Sequence, residues 1–149
     1  MRCVVQRVLK AEVSSGGQTV GTIAHGLVAL IGVEQGDTEK DARYMADKIA
    51  KLRIFEDDQG KMNRSVIDVA GSVLAVSQFT LLGDARGQNR PGFTRAEEPE
   101  RANVLYEACC AGLEMNGLYV ARGIFRAHMQ VRLVNDGPVT ILLDSRKTF

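Results

Sequence analysis

The sequence predicts a β-rich, layered α/β fold, in which two packed sheets or a barrel-like sheet carry two helices on one side within a single domain, residues 1–149. Three observations predict it. Short apolar, β-branched runs recur at residues 2–13, 18–23, 27–33 and 73–76. Two stretches alone, 38–52 and 99–117, place apolar residues at helical spacing. The chain has 149 residues, 45% of them hydrophobic and 25% charged, enough to bury a core without disulfide or metal staples.

Each element has its own reason. Residues 2–13 are rich in Val and Leu, and Gly16-Gly17 breaks them from 18–23, giving strand, turn and strand. Leu27-Val28-Ala29-Leu30-Ile31-Gly32-Val33 is continuously apolar, as in a strand covered on both faces. Thr38, with Asp41 three residues on, resembles an acidic capping box, and Ala42, Met45, Ala46, Ile49 and Leu52 then follow at helical spacing. Asp57-Asp58-Gln59-Gly60 is a turn. Val73-Leu74-Ala75-Val76 is a buried strand running into Ser77-Gln78-Phe79-Thr80-Leu81, which is read as its polar end. Residues 83–95, with Pro91 and three arginines, form a long loop, and long loops in small domains are often functional. Pro99 suits the first turn of a helix burying Ala102, Leu105, Cys109 and Leu113 and ending at Asn116-Gly117. Met129, Val131 and Leu133 then alternate with Gln130 and Arg132, and the chain turns at Asp136-Gly137-Pro138 into Val139-Thr140-Ile141-Leu142-Leu143.

Composition narrows the chemistry. Three cysteines, two of them adjacent at Cys109-Cys110, make neither a disulfide framework nor a CxxC metal site, so reduced, mostly buried thiols are expected. With His25 and His128 as the sole histidines, no metal and no cofactor are expected. No stretch approaches the apolar length that spans a bilayer, and Arg2 and Arg7 interrupt the N-terminal apolar segment too early for a signal peptide. The expectation is a cytoplasmic protein with no membrane partner. A formal charge of +1 argues against general nucleic-acid coating and against a DNA partner. Residues 118–149 do carry a local excess of three positive charges, and Arg86, Arg90 and Arg95 lie in the long loop. Two readings stand side by side: a phosphate-binding patch, or solvated arginines spread over several faces.

Taken singly, the polar motifs are weak. Ser77 or Thr80 as a nucleophile needs a base within reach, histidines are scarce, and no GxSxG elbow surrounds either residue. The segment does offer main-chain N–H groups and the Gln78 amide, which are suitable donors to an oxyanion. Gly137-Pro138 is an ordinary turn or a cis one, with little side chain to shield its carbonyls from a ligand. Arg7 reads as an exposed strand arginine or as a partner for a carbonyl or phosphate. His128 reads as an exposed strand residue or an RNA contact.

Together, in order along the chain, Met1-Arg2-Cys3-Val4-Val5-Gln6-Arg7-Val8, Arg53-Ile54-Phe55, Gly60-Lys61-Met62-Asn63, Ser77-Gln78-Phe79-Thr80-Leu81, Arg90-Pro91-Gly92-Phe93 and Leu133-Val134-Asn135-Asp136-Gly137-Pro138-Val139-Thr140 resemble D-aminoacyl-tRNA deacylases over essentially the whole sequence. The resemblance implies a homodimeric hydrolase that cleaves the ester between a D-amino acid and the terminal adenosine of tRNA, in translational proofreading. It assigns Ser77, Gln78, Phe79 and Thr80 to the catalytic segment. It makes Gly137-Pro138 a cis pair that reaches across the dimer and excludes L side chains, with Arg7 fixing the turn. Phe125 and Met129 would flank the adenosine. The sequence departs from the family pattern at Arg126, where a small residue is usual, and at His128, where an acidic one is usual. The competing readings are a non-catalytic module for the tRNA 3′ end and a generic serine or threonine esterase; the intact motifs favour the hydrolase.

Overall fold

The computed structural model describes residues 1–149. One long strand, β1 (Arg2–Ser15), organises the sheet. Along one edge its first half pairs antiparallel with β3 (Gly26–Gly32) and its second half with β2 (Gln18–Ile23). Its other edge pairs antiparallel with β8 (Gln130–Asp144), from Arg2 opposite Asp144 to Ser14 opposite Gln130. Beyond β3 lie β6 (Ser72–Ser77) and then β7 (Val120–Arg122), each parallel to its neighbour. Parallel neighbours need crossovers. The two crossovers contain α1 (Glu39–Lys51) and α2 (Pro99–Met115). A separate two-stranded ribbon, β4 (Phe55–Glu56) and β5 (Met62–Arg64), surrounds the expected 57–60 turn. The Asp57 carboxylate holds that turn by accepting from the N–H groups of Gln59 (2.9 Å) and Lys61 (3.0 Å).

Period-two alternation builds two cores on opposite faces of this sheet. Cys3 and Val5, Leu27, Ala29 and Ile31, Val73 and Ala75 point to the helices and join a buried cluster of 27 residues that includes Met45, Ile49, Leu105 and Leu113. The two helices therefore share one side, as the sequence predicts. The intervening residues Val8, Val28, Leu74, Val76 and Ala121 meet Ala11, Val13 and Ile23 in a second cluster of eight. Because β2 packs against β6 and β7, that second face closes into a barrel-like curl. Only half of it is closed. At the other end Leu142 stands 60% exposed, beside the half-buried Val4 and Leu30.

Helix boundaries follow their caps. The Thr38 N–H donates to the Asp41 carboxylate at 2.9 Å, one half of the expected capping box. Burial raises the Asp41 pKa, but hydrogen bonds from Ser145 and Thr38 outweigh it and hold the carboxyl below its usual range. All three cysteines are buried and unpaired, and burial pushes their thiols up, Cys110 to about 11.

The structure corrects the sequence reading at three places. The strand containing Val73 stops at Ser77, and Phe79–Leu82 coil into a 3₁₀ turn instead of extending the strand. Leu82 is buried and packs over Gly32, where a Cβ would stand 2.7 Å from Leu82 Cδ2 and 2.8 Å from the Gln78 carbonyl oxygen. That close approach bends the chain down onto β3. Second, the chain does not reverse at Asp136-Gly137-Pro138. β8 is one strand, and four residues, Asp136 to Val139, bulge out where β1 has Arg7 alone. Third, His128 precedes β8 in a loop and is not a strand residue. The strands β4, β5 and β7 are too short for periodicity to reveal.

Candidate active site

The C-terminal end of β6 opens into a cavity of about 500 Å³. Ser77, Gln78 and Phe79 line it together with Phe125 and Met129, from the loop before β8. Five of the sequence-predicted site residues thus share one space. The Gln78 N–H donates to the Ile31 carbonyl at 2.8 Å, which ties the segment to β3. The 3₁₀ turn begins with Leu81 N–H donating to the Gln78 carbonyl (3.3 Å), so the N–H groups of Phe79 and Thr80 lie ahead of its ladder, as at the start of any helix. The Gln78 side-chain amide donates to the Thr80 hydroxyl oxygen. Phe79 is 56% exposed and meets Phe93 edge-on, ring centroids 5.0 Å apart. Thr80 is exposed and is not among the cavity-lining residues.

Phe125 and Met129 are held from behind. Tyr106 is buried, donates its hydroxyl to the Ala75 carbonyl at 2.9 Å, and lies 6.3 Å, centroid to centroid, from Phe125. Burial pushes the Tyr106 phenol well above its usual range, so it remains a neutral donor. The Met129 sulfur accepts from the Ile124 N–H at 3.3 Å. Sequence reasoning missed another part of the lining: Val33, Ala96, Glu97, Pro99 and Ala102, from the end of β3 and the start of α2. Its signal was the proline that opens α2, which brings residues 96–102 to the C-terminal ends of the parallel strands, where ligands gather in open α/β sheets.

Gly137, Pro138 and Arg7 form a second, separate unit. The Gly137–Pro138 peptide is cis. Arg7 is 6% exposed, and its guanidinium donates to the Asp136 carbonyl (3.2 Å) and the Ile54 carbonyl (2.8 Å) and meets the Asp136 carboxylate at 3.2 Å. Arg7 is thus a buried clamp and not an exposed strand arginine. The Asn135 amide closes the bulge by donating to the carbonyls of Arg7 (2.9 Å) and Val139 (3.0 Å). Gly137 has φ +122°, and a Cβ there would stand 2.7 Å from Val139 Cγ2 and 3.0 Å from an Arg7 terminal nitrogen, so only glycine fits.

The register keeps the two units apart. Ser77 is level with Ile31 and Cys3, whereas Arg7 is level with Leu27 and Val73. Four residues along a strand is about 13 Å. Gly137 and Pro138 do not line the cavity of their own chain.

Most of the positive charge noted in the sequence is neutralised. Arg122 meets Glu107 (3.2 Å) and Glu114 (2.6 Å), Arg132 meets Glu12 (3.1 Å), Arg146 meets Asp37 (3.0 Å), Arg86 meets Asp84 and Arg95 meets Glu34. Arg95 and Arg146 share Glu34, and the other three form separate ion pairs. No three His, Cys, Asp or Glu side chains gather as a metal-binding group, and no helix is long and apolar enough to cross a membrane.

The sequence model of the D-Tyr-tRNA(Tyr) deacylase family matches residues 4–144. A D-aminoacyl-tRNA deacylase of Anaeromyxobacter dehalogenans (strain 2CP-C) is 62% identical over 149 residues, 100% of both chains. Another, from Desulforamulus reducens, is 57% identical, again over 100% of both. Among solved structures, a c-Myc DNA Unwinding Element Binding Protein superposes with a TM-score of 0.90 at 40% identity, covering 97% of this chain and 98% of that one. A structure described as a probable eukaryotic D-amino acid tRNA deacylase shares the fold, TM-score 0.79, at 15% identity over 95% of this chain and 97% of its own. From the match across nearly its whole length and from full-length relatives this similar, the chain belongs to the D-Tyr-tRNA(Tyr) deacylase family.

Proposed function

We propose that this protein is a single-domain, cytoplasmic D-aminoacyl-tRNA deacylase, which hydrolyses the ester between a D-amino acid and the terminal adenosine of tRNA. The observation that carries the reading is the cavity at the end of β6, which Ser77, Gln78 and Phe79 line together with Phe125 and Met129. Aromatic and thioether side chains suit a purine face. Water adds to the ester carbonyl, the Phe79 and Thr80 N–H groups and the Gln78 amide receive the oxyanion, and the carbon–oxygen bond to the ribose then breaks. Each well-placed donor contributes about 3 kcal/mol to such a step in other enzymes. The leaving ribose oxygen takes a proton, releasing free tRNA and the D-amino acid. The Thr80 hydroxyl accepts from Gln78 and has no base beside it, which supports main-chain catalysis over a threonine nucleophile.

Chirality is set by a second copy of the chain. The Gly137-Pro138 bulge enters the partner's cavity and its carbonyls occupy the direction an L side chain would need. The register separation within one chain supports this, as do the exposed Leu142 and half-buried Val4 and Leu30 on the face of the sheet that the helices leave open. Exclusion by backbone needs no side-chain pocket, so many D-amino acids are accepted, and so is glycine. The second reading, a binding module without chemistry, has the same cavity. Incubation with D-Tyr-, L-Tyr- and Gly-tRNA separates them: the proposal expects cleavage of the first and third and sparing of the second. Binding without cleavage of any would leave the module, and appreciable L-Tyr-tRNA cleavage would remove the exclusion mechanism.

A further inference from the structure

The residues between β7 and β8 carry an outlier that the reaction above leaves unused. Arg126 has φ +65°, in the left-handed region where non-glycine residues are uncommon. It is the third residue of a tight turn closed by Ala127 N–H donating to the Ile124 carbonyl at 3.2 Å. Phe125, the second residue, has negative φ, so this is the turn geometry that calls for glycine or asparagine at the third position. An arginine held there strains the backbone. The packing of Phe125 on the core holds the turn, but the Arg126 side chain itself is exposed, donates no hydrogen bond and meets no carboxylate. The other arginines of this part of the chain, Arg122, Arg132 and Arg146, are all ion-paired.

Position supplies the missing reason. Arg126 lines the cavity, as do Phe125, Ala127 and His128, and both Arg126 and His128 are exposed to solvent. Glu97, a carboxylate that also lines the cavity, is already engaged by Arg101 at 3.4 Å. A free guanidinium at the rim of a cavity lined by aromatic and thioether groups matches a phosphodiester leaving a nucleoside bound inside.

We infer that Arg126 is a phosphate-binding residue: with a terminal nucleoside in the cavity, its guanidinium holds the phosphodiester joining that nucleoside to the preceding nucleotides, and His128 adds a donor at the same rim. The inference rests on the proposed function for the identity of the strand as an RNA 3′ end. It uses no family residue, because the strained turn and the unpaired cation are features of this chain.

The test uses Arg126→Gly and Arg126→Lys in the full chain. Binding of a fluorescent RNA ending in CCA is followed against salt, and hydrolysis of a D-aminoacyl-tRNA is compared with that of the corresponding D-aminoacyl-adenosine, which lacks the phosphate. Arg126→Gly should melt at or above the wild-type temperature, because glycine fits the turn, yet bind the RNA about 5- to 10-fold more weakly. One lost phosphate contact to a single strand should lower the salt slope by about 0.7. The KM for the tRNA should rise at least fivefold more than the KM for the adenosine ester, and Arg126→Lys should recover part of the loss. Equal effects on both substrates, or an unchanged salt slope, overturn the inference. A wild type that binds the RNA with this salt slope but hydrolyses neither substrate would overturn the proposed hydrolysis and leave the phosphate contact standing. A wild type that does not bind the RNA overturns both.

Discussion

The end of β6 and the bulge of β8 are built in opposite ways. At β6 the main chain is pinned from below, by Gln78 N–H on Ile31 and by Gly32 under Leu82, while the N–H groups of Phe79 and Thr80 precede the 3₁₀ ladder and the Phe79 ring is exposed. At β8 the flanks of the bulge are tied down. One buried guanidinium joins Asp136 to Ile54, and one amide joins Arg7 to Val139. A receptor keeps donors unpaired. A wall satisfies them and loses its freedom to move. Under the proposed function the bulge supplies a rigid wall and the turn the reacting groups, and substitutions should separate the two.

The largest effect belongs to the clamp. Arg7→Ala leaves the Ile54 and Asp136 carbonyls without their buried donor and should destabilise the fold by about 3 kcal/mol, measured by urea unfolding. Discrimination between D- and L-Tyr-tRNA should fall with it. If stability falls while discrimination persists, the bulge is not the chiral wall. Gly137→Ala is next, because its Cβ must displace Val139 or the Arg7 guanidinium at a positive φ; about 2 kcal/mol is expected, again with loss of L rejection.

Thr80→Ala touches only the receptor. Stability should change by under about 1 kcal/mol and kcat should fall less than about tenfold, because the hydroxyl is exposed and is not among the proposed oxyanion donors. An acyl-threonine trapped with substrate would reverse this assignment, and a substrate lacking the neighbouring ribose 2′-hydroxyl should be the poorer one. The smallest effect concerns a group in neither unit. Burial raises the Asp144 pKa, but the Thr148 hydroxyl, the Arg146 N–H and the Met1 ammonium outweigh it and hold the carboxyl below its usual range. A depressed folded pKa contributes stability that is present above the unfolded value of about 3.9 and is lost as pH falls through the folded one. Wild type should therefore lose more stability than Asp144→Asn between about pH 5 and 2, in thermal melts across that range.

How much of this was legible in the sequence depended on the length over which a pattern persists. α1, with five buried residues at helical spacing, and β3, apolar on both faces, could be read directly. β7 and the ribbon strands have two or three residues each, which is no period at all. The 3₁₀ turn was read as a strand end because its cause lies elsewhere in the chain, in the space above Gly32. The roles of Arg7 and Gly137 were stated through resemblance alone, since no local pattern tells a buried strand arginine from an exposed one. Arg126 stood out only as a departure, and its backbone angle gave that departure a physical meaning.

The pairing of β1 with β8 also has a consequence in time. The strand at the centre of the sheet is made well before its partner β8, with Arg2 opposite Asp144. During synthesis β1 can acquire β2 and β3 within a few dozen residues, but one full edge stays open until the final strand has left the ribosome. Such distant pairing makes folding slow, and the open edge is a surface other chains can join. Once β8 is seated, β1 is bonded along both sides, so its amides should be among the last in the molecule to exchange with solvent.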